Sequence, residues 1–507
     1  MKELLELVHI VNRNKVKSID VLGNPESTKS LVNRLYSEIS KGNIKSDEEA
    51  ALYLYDSPPQ DRRYKELKKR LVEKLHNTVL FIDTSFSRYD EMGKAYYSCW
   101  KDFAVCKILL GKGASNAAIS LLKKILRKSL EFEFISLSIE ILRHLRLKEA
   151  TFFVNSKKYS EYNNQLKKLE KAYWIETEFE EAYTSLILEI TKDREKTLIA
   201  ISEFLEENNE ILNNYPYYRI ALYFFSIKLS YQTEVRDYLQ AQHTCLEALT
   251  FFRSSKKHSQ NATGIFQRQL FLLYWQQKKY EEGEALLKEA RNYTRDGDIS
   301  FFTNHSYYLL LCLHSGKYGK AWEIYQEATG HKRFSTLSEY SREKWTIYEA
   351  YLHYLGGLDM IPGMEPKKMR IQKFLNEVPI YSRDKSGTNI PILIIQILLL
   401  LLYQRYNEVI DRMEALEKYA QRYLRQPATL RSYYFIKMLL KIPLADFHRA
   451  GAIRKASPFR KKLDATPLNV TRQAYVTEIM PYEQLWDFAM DSLQNTFWKP
   501  RKRSSGR

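Results

Sequence analysis

The sequence predicts an all-α chain assembled from repeated helical hairpins. Three observations carry that expectation. The first is composition: 507 residues contain 17 Gly and 14 Pro, about half the usual combined share of roughly 12 %. So few chain breakers argue against collagen, long linkers and turn-dense β folds. The second is aromatic content, 13 % with 37 Tyr and 24 Phe, which a disordered chain does not carry. The third is a spacing of one large, one small, one large and one small residue that recurs through the middle of the chain. At roughly 100–200 residues per domain, the length corresponds to two to four domains or one long array.

Residues 1–90 read as helices separated by polar turns. A second helix is expected after the turn Gly23-Asn24-Pro25, with Ser27 as its cap. Ser46-Asp47-Glu48-Glu49 is a capping box ahead of AALYLY: the Ser46 hydroxyl can accept from an early free N–H, and Glu49 can reach back. Ser57-Pro58-Pro59 ends that helix. The next starts near Asp61, with Tyr64, Leu67, Leu71, Leu75 and Val79 at three- and four-residue steps on one face.

The informative region is 91–355. Tyr280 is followed by Gly283, Leu287 and Ala290, and Tyr318 by Ala321, Tyr325 and Ala328, at identical offsets. Tyr238, Ala241, Cys245 and Ala248 repeat the pattern upstream; Tyr406, Val409, Met413 and Leu416 repeat it downstream; Ser115, Ala118, Leu122 and Ile125 give an early version. A small residue lets two helices approach, the large one four positions on fills the space between them, and the last small residue sits where the next unit packs. One such unit cannot bury its own apolar face, so units must stack.

The clearest stretch, Gly316-Lys317-Tyr318-Gly319-Lys320-Ala321 followed by Tyr325 and Ala328, resembles the tetratricopeptide-repeat family, a helix-turn-helix repeat of about 34 residues. The match is degenerate: the Trp-Leu-Gly signature and the closing Pro of that family are missing, and the spacing between units exceeds 34. The chain also resembles bacterial proteins that carry divergent repeats of this type. The resemblance implies a right-handed superhelical solenoid with an N-terminal helical cap (1–90), an array over 91–355 and a concave groove lined by the first helices of successive hairpins. That groove would hold an extended segment or helix of a protein or peptide partner. From the two clearest units, Arg268, Trp275, Gln276, Thr303 and His314 are expected to face it.

Residues 356–391 hold four Gly and four Pro and read as a break before a final helical segment, 392–440. Within that segment Ile392–Tyr403 reads ILIIQILLLLLY, twelve residues against the roughly 18–20 needed to span a bilayer. A buried helix is expected there and no membrane insertion. Residues 441–507 carry 13 Lys+Arg against 6 Asp+Glu and read as a basic C-terminal extension. Its cations bunch at Arg454, Lys455, Arg460, Lys461 and Lys462, where Ser457-Pro458 is expected to interrupt the helix, and again at Lys499, Arg501, Lys502 and Arg503.

The whole chain has 79 Lys+Arg against 61 Asp+Glu, a net charge of +18, which suits anionic partners. Nucleic acid is therefore the alternative to a protein partner. It would be gripped by the basic cluster at Arg454, Lys455, Arg460, Lys461 and Lys462, or by the 61–75 helix with Arg62, Arg63, Lys65, Lys68, Lys69, Arg70 and Lys74 as a recognition helix. Against the second option, the turn before that helix is long and contains Pro-Pro.

No enzyme is expected. Gly23-Asn24-Pro25-Glu26-Ser27-Thr28-Lys29-Ser30 nearly spells a phosphate loop, but Thr28 stands where a second glycine must let backbone N–H groups wrap the phosphates. The ten His show no zinc spacing, no nucleophile elbow occurs, and Glu206-Glu207 and Glu281-Glu282 read as solvated helix faces. No cofactor and no metal are expected. Four cysteines without a CxxC pair read as buried thiols in a reducing compartment, and Glu3 and Glu6 interrupt what a signal peptide would need as its apolar stretch, so the cytoplasm is the expected location.

Overall fold

A computed structural model describes residues 1–13, 30–82, 91–190, 192–254, 260–291, 296–364, 387, 389–426, 429–468 and 477–498. Among them every regular element is a helix. Contacts divide the chain into two units, Met1–Phe224 with Phe251–Ala262, and Phe225–Thr250 with Thr263–Arg507.

The first unit opens with a small bundle of α1 (Lys2–Arg13), α2 (Leu31–Ser40), α3 (Asp47–Tyr55) and α4 (Arg62–Val79). Ser46 caps α3 by accepting from the Glu49 N–H at 3.1 Å, and Glu49 accepts from the Lys45 N–H, so the capping box forms. Asp56 in the left-handed region ends α3, and Asp61 caps α4. Tyr64, Leu67, Leu71 and Leu75 are buried against Leu4, Val8, Val32 and Leu35. The expected cap at Ser27 lies outside the described residues; α2 begins after Ser30. The N-terminal ammonium, the Tyr64 hydroxyl and Lys68 all converge on Asp47. Further along the unit, α5 (Glu91–Gly111), α6 (Ser115–Glu131), α7 (Ile135–Thr151), α8 (Ser156–Glu189) and α9 (Arg194–Glu207) each pack on their sequence neighbour. A short α10 (Ile211–Asn214) leads to α11 (Tyr218–Glu234) and α12 (Tyr238–Ser254), which contribute to both units.

The second unit continues with α13 (Gln260–Gln276), whose first three residues belong to the first unit, α14 (Tyr280–Arg291), α15 (Ile299–His314), α16 (Tyr318–Thr329), α17 (Glu339–Gly357), α18 (Asn389–Leu402), α19 (Tyr406–Tyr423), α20 (Leu430–Leu439), α21 (Arg449–Asp464) and α22 (Tyr482–Asp491). The five pattern-initial residues Ser115, Tyr238, Tyr280, Tyr318 and Tyr406 are the first residues of α6, α12, α14, α16 and α19. One turn recurs ahead of them. Gly113, Arg236, Lys278, Gly316 and Gln404 each have φ between 56° and 77°. The residue after each donates its N–H to the carbonyl five positions back: Ala114 to Leu109, Asp237 to Gln232, Lys279 to Tyr274, Lys317 to Cys312 and Arg405 to Leu400. This closes the first helix by a left-handed residue and starts the second two residues later. Glu133, before α7, makes the same turn, with the Phe134 N–H bonded to Ser129.

The small positions behave as the pattern requires. Ala118, Ala241 and Ala321 are fully buried, and Gly283 lies where Phe271 and Leu311 meet. A Cβ built on Gly283 would sit 3.6 Å from both side chains, an ordinary contact distance. Gly283→Ala is therefore expected to stabilise the protein by about 0.5–1 kcal/mol, because a mid-helix glycine loses the backbone entropy that alanine does not. Urea midpoints of the two proteins check this.

Two expectations need correction. The described part of 441–507 is not an extension but part of the core. Ile479, Met480, Tyr482, Leu485, Trp486, Ala489 and Met490 are buried in one cluster with α15, α17, α18 and α20. The reason is visible in the spacing of α22, whose apolar residues fall every three or four positions although the segment as a whole is cationic. Nor does Pro458 break the helix: α21 runs from Arg449 to Asp464 with Pro458 on an exposed position. The apolar run in α18 is buried under α17, α19, α20 and α22. No helix among the described residues is long and apolar enough to cross a membrane. Residues 365–386, most of the expected break, lie outside the described residues.

Candidate functional site

The five residues expected to line a groove lie on α13 and α15. They divide into residues covered by the chain itself and residues open to solvent. Trp275 and His314 fall in the covered part. Trp275 is 2 % and His314 5 % exposed, with their rings edge to face at 4.8 Å, so neither faces an open groove as expected. The cover is the segment 477–481 and α22. His314 donates from Nε2 to the Glu478 carbonyl at 3.0 Å, and Gln276 donates to the Leu468 carbonyl at 2.9 Å. Tyr318 donates to Gln484 at 3.3 Å. The partners of His314, Gln276 and Tyr318 thus come from the C-terminal part of the same chain.

Arg431 on α20 fixes that segment. Its Nε and Nη2 donate to the Glu478 carboxylate at 2.8 Å, Nη2 also to Glu483 at 2.8 Å, and Nη1 to the Leu463 carbonyl at 3.3 Å and to the Thr466 carbonyl. Glu478 is 2 % exposed; burial pushes its carboxyl above the usual range while Arg431 opposes the shift. Tyr482 stacks on Phe435 at 4.5 Å, and its hydroxyl pairs with Ser432 at 2.8 Å. Burial holds the His314 imidazole down at about 4; the hydrogen bond to Glu478 resists this and Arg431 adds to it.

The open part lies between α15 and α17. Thr303, the one expected groove residue found there, borders a half-open cavity of about 150 Å³ together with Phe302, Ser306, Tyr307, Ser341, Lys344, Trp345, Tyr348 and Ile479. Ser306 and Tyr348 hydroxyls bond across the two helices at 2.8 Å. Burial pushes the Tyr348 hydroxyl up to about 12, so it stays neutral. Arg268 is exposed on α13 and does not line the cavity. No part of the recurring pattern falls within 339–357, so nothing in the sequence marks the α17 residues.

The basic cluster is divided too. Arg454, Lys455, Lys461 and Lys462 are exposed and share one face of α21, about seven residues apart in two pairs. Arg460 is turned to the other flank, where it pairs with Asp464 at 3.0 Å and Asp487 at 3.2 Å. On α4, Arg62, Arg63, Lys68 and Lys69 pair with Glu66, Asp61, Asp47 and Glu73. Among the described residues no group of three His, Cys, Asp or Glu side chains is placed to hold a metal ion. The four cysteines are free and buried, and burial pushes Cys99 up to about 11 and Cys245 and Cys312 up to about 12, which leaves unreactive thiols.

Comparison with protein-family models, with curated proteins and with solved structures returned no match to this chain.

Proposed function

We propose that this chain is a non-enzymatic scaffold whose helical hairpins form a right-handed solenoid of tetratricopeptide-like units and hold a protein partner in the open part of the groove, in the reducing cytoplasm. The observation that carries the reading is the cavity between α15 and α17, two successive first helices, with Thr303 on its wall. The recurring left-handed turn ahead of five second helices supports the repeat. Selection of displayed random peptides on the full-length protein tests it. Peptides selected on the wild type are expected to bind Thr303→Arg at least tenfold more weakly, because the guanidinium fills the cavity mouth. Peptides that bind both proteins equally well would remove the groove from the reading.

The exposed face of α21 favours nucleic acid as a second reading. Four cations that neutralise phosphates give a log-log salt slope of about −3.6 on duplex DNA. Replacing Arg454, Lys455, Lys461 and Lys462 together by Gln is then expected to flatten the slope; the absence of salt-dependent binding to DNA or RNA by the wild type retires this reading.

A further inference from the structure

We infer that the cavity between α15 and α17 takes an aromatic side chain carried by an acidic stretch of the partner. The inference rests on the groove being a partner-binding surface, and it adds the chemistry of what binds. Size comes first. About 150 Å³ is the volume in which an apolar protein site holds one benzene ring. Phe302, Tyr307, Trp345 and Tyr348 supply ring faces and edges for such a guest, an arrangement worth more than area alone.

Charge comes second. Lys344 is the one Lys or Arg on the wall, and no Asp or Glu lines the cavity. The wall is also made from the opening turns of two helices, residues 299–307 of α15 and 341–348 of α17. The Lys344 ammonium stands 4.9 Å from the centroid of the Tyr340 ring, at the α17 end of that wall. Asp298, the cap of α15, is offset by Arg333 at 3.4 Å, and Glu339 and Glu343 of α17 lie off the wall. A guest with a basic flank would meet Lys344; one with an acidic flank is drawn to it. The half-open mouth leaves room for the flanks to remain outside while the ring is inside.

The test uses short peptides, N-acetylated and C-amidated so that no terminal charge contributes. A central phenylalanine is flanked by two glutamates on each side; the comparators have lysine flanks, or alanine in the centre. Binding to the full-length chain is read by anisotropy of a labelled peptide, with 3-phenylpropionate as a competitor. The acidic phenylalanine peptide is expected to bind at least tenfold more tightly than either comparator. Thr303→Trp, which fills the cavity, should abolish the difference between phenylalanine and alanine, and Lys344→Glu should weaken the acidic peptide about tenfold, with melting curves confirming that both variants fold. A lysine-flanked peptide that binds equally well, or a Thr303→Trp protein that binds as the wild type does, overturns the inference. So does 3-phenylpropionate binding as tightly as the peptide, which would make the guest a free acid. Should displayed peptides of other composition bind the groove through Thr303, the scaffold reading stands and this inference falls; if no peptide of any kind binds, both fall.

Discussion

Arg431→Ala is expected to destabilise the second unit by about 3–5 kcal/mol. The guanidinium is 11 % exposed and its donors serve two carboxylates and two carbonyls. Truncation leaves Glu478, almost fully buried, without its counter-charge, and the cost of breaking such a pair by removing one partner is in this range. The loss should be local. Amide exchange in 477–493 is expected to accelerate strongly, while exchange in α1–α4 stays unchanged. The double replacement Arg431→Met with Glu478→Leu should recover most of the lost stability, since apolar groups of similar volume tolerate the same site. Unchanged exchange in 477–493 of Arg431→Ala would show that packing of Tyr482, Leu485 and Trp486 alone holds the segment.

Acidification is expected to weaken the same region through His314. The imidazole titrates near 4 in the folded chain, against about 6.5 for an unfolded histidine. Between those values the unfolded chain takes up a proton and the folded chain does not, so the contribution of His314 is present above pH 6.5 and lost as the pH falls toward 4. At 1.36 kcal/mol per unit, about 2 kcal/mol is gone by pH 5 and about 3 kcal/mol by pH 4. Glu478 acts in the opposite sense: its carboxyl is raised by burial, so the stability it contributes is present at low pH and declines as the pH rises through its folded value. His314→Gln keeps an N–H donor for the Glu478 carbonyl and separates the two. Its stability, measured by urea titration or amide exchange at pH 7 and pH 5, should fall less than that of the wild type by about 2 kcal/mol. Equal pH dependence in both proteins would rule out His314 as the titrating group.

The recurring pattern points to paired helices, because side-chain size at those positions answers directly to helix–helix distance, and the structure puts its first residue at the start of α6, α12, α14, α16 and α19. The pattern does not extend to α7, although Glu133 makes the same turn. Only Gly113 and Gly316 use glycine there; Glu133, Arg236, Lys278 and Gln404 adopt the left-handed conformation without it, and at those positions no residue type marks the turn. The spacing does not tell which of the expected groove residues stay open: Trp275 and His314 are buried. Trp275 and His314 do lie on first helices, but whether a helix face is open depends on what returns to cover it. That information was in the spacing of Tyr482, Leu485, Trp486, Ala489 and Met490, hidden by a charge count over the whole of 441–507. In the sequence, cations such as Arg460 and Lys68 look solvated or ligand-facing because their partners, Asp487 and Asp47, are distant along the chain.

The order of synthesis gives the burial of α18 a further meaning. Its apolar residues are complete once Leu402 has been made, yet α22, which shields one side of them, ends at Asp491. At about 5–20 residues per second, translation of the intervening stretch of about 90 residues takes roughly 5–20 s. During that interval a nascent chain displays ILIIQILLLLL without its lid. Attached chaperones or a pause in elongation would then matter to yield, and ribosome-bound chains ending between Leu402 and Asp491 are the ones in which aggregation should be sought.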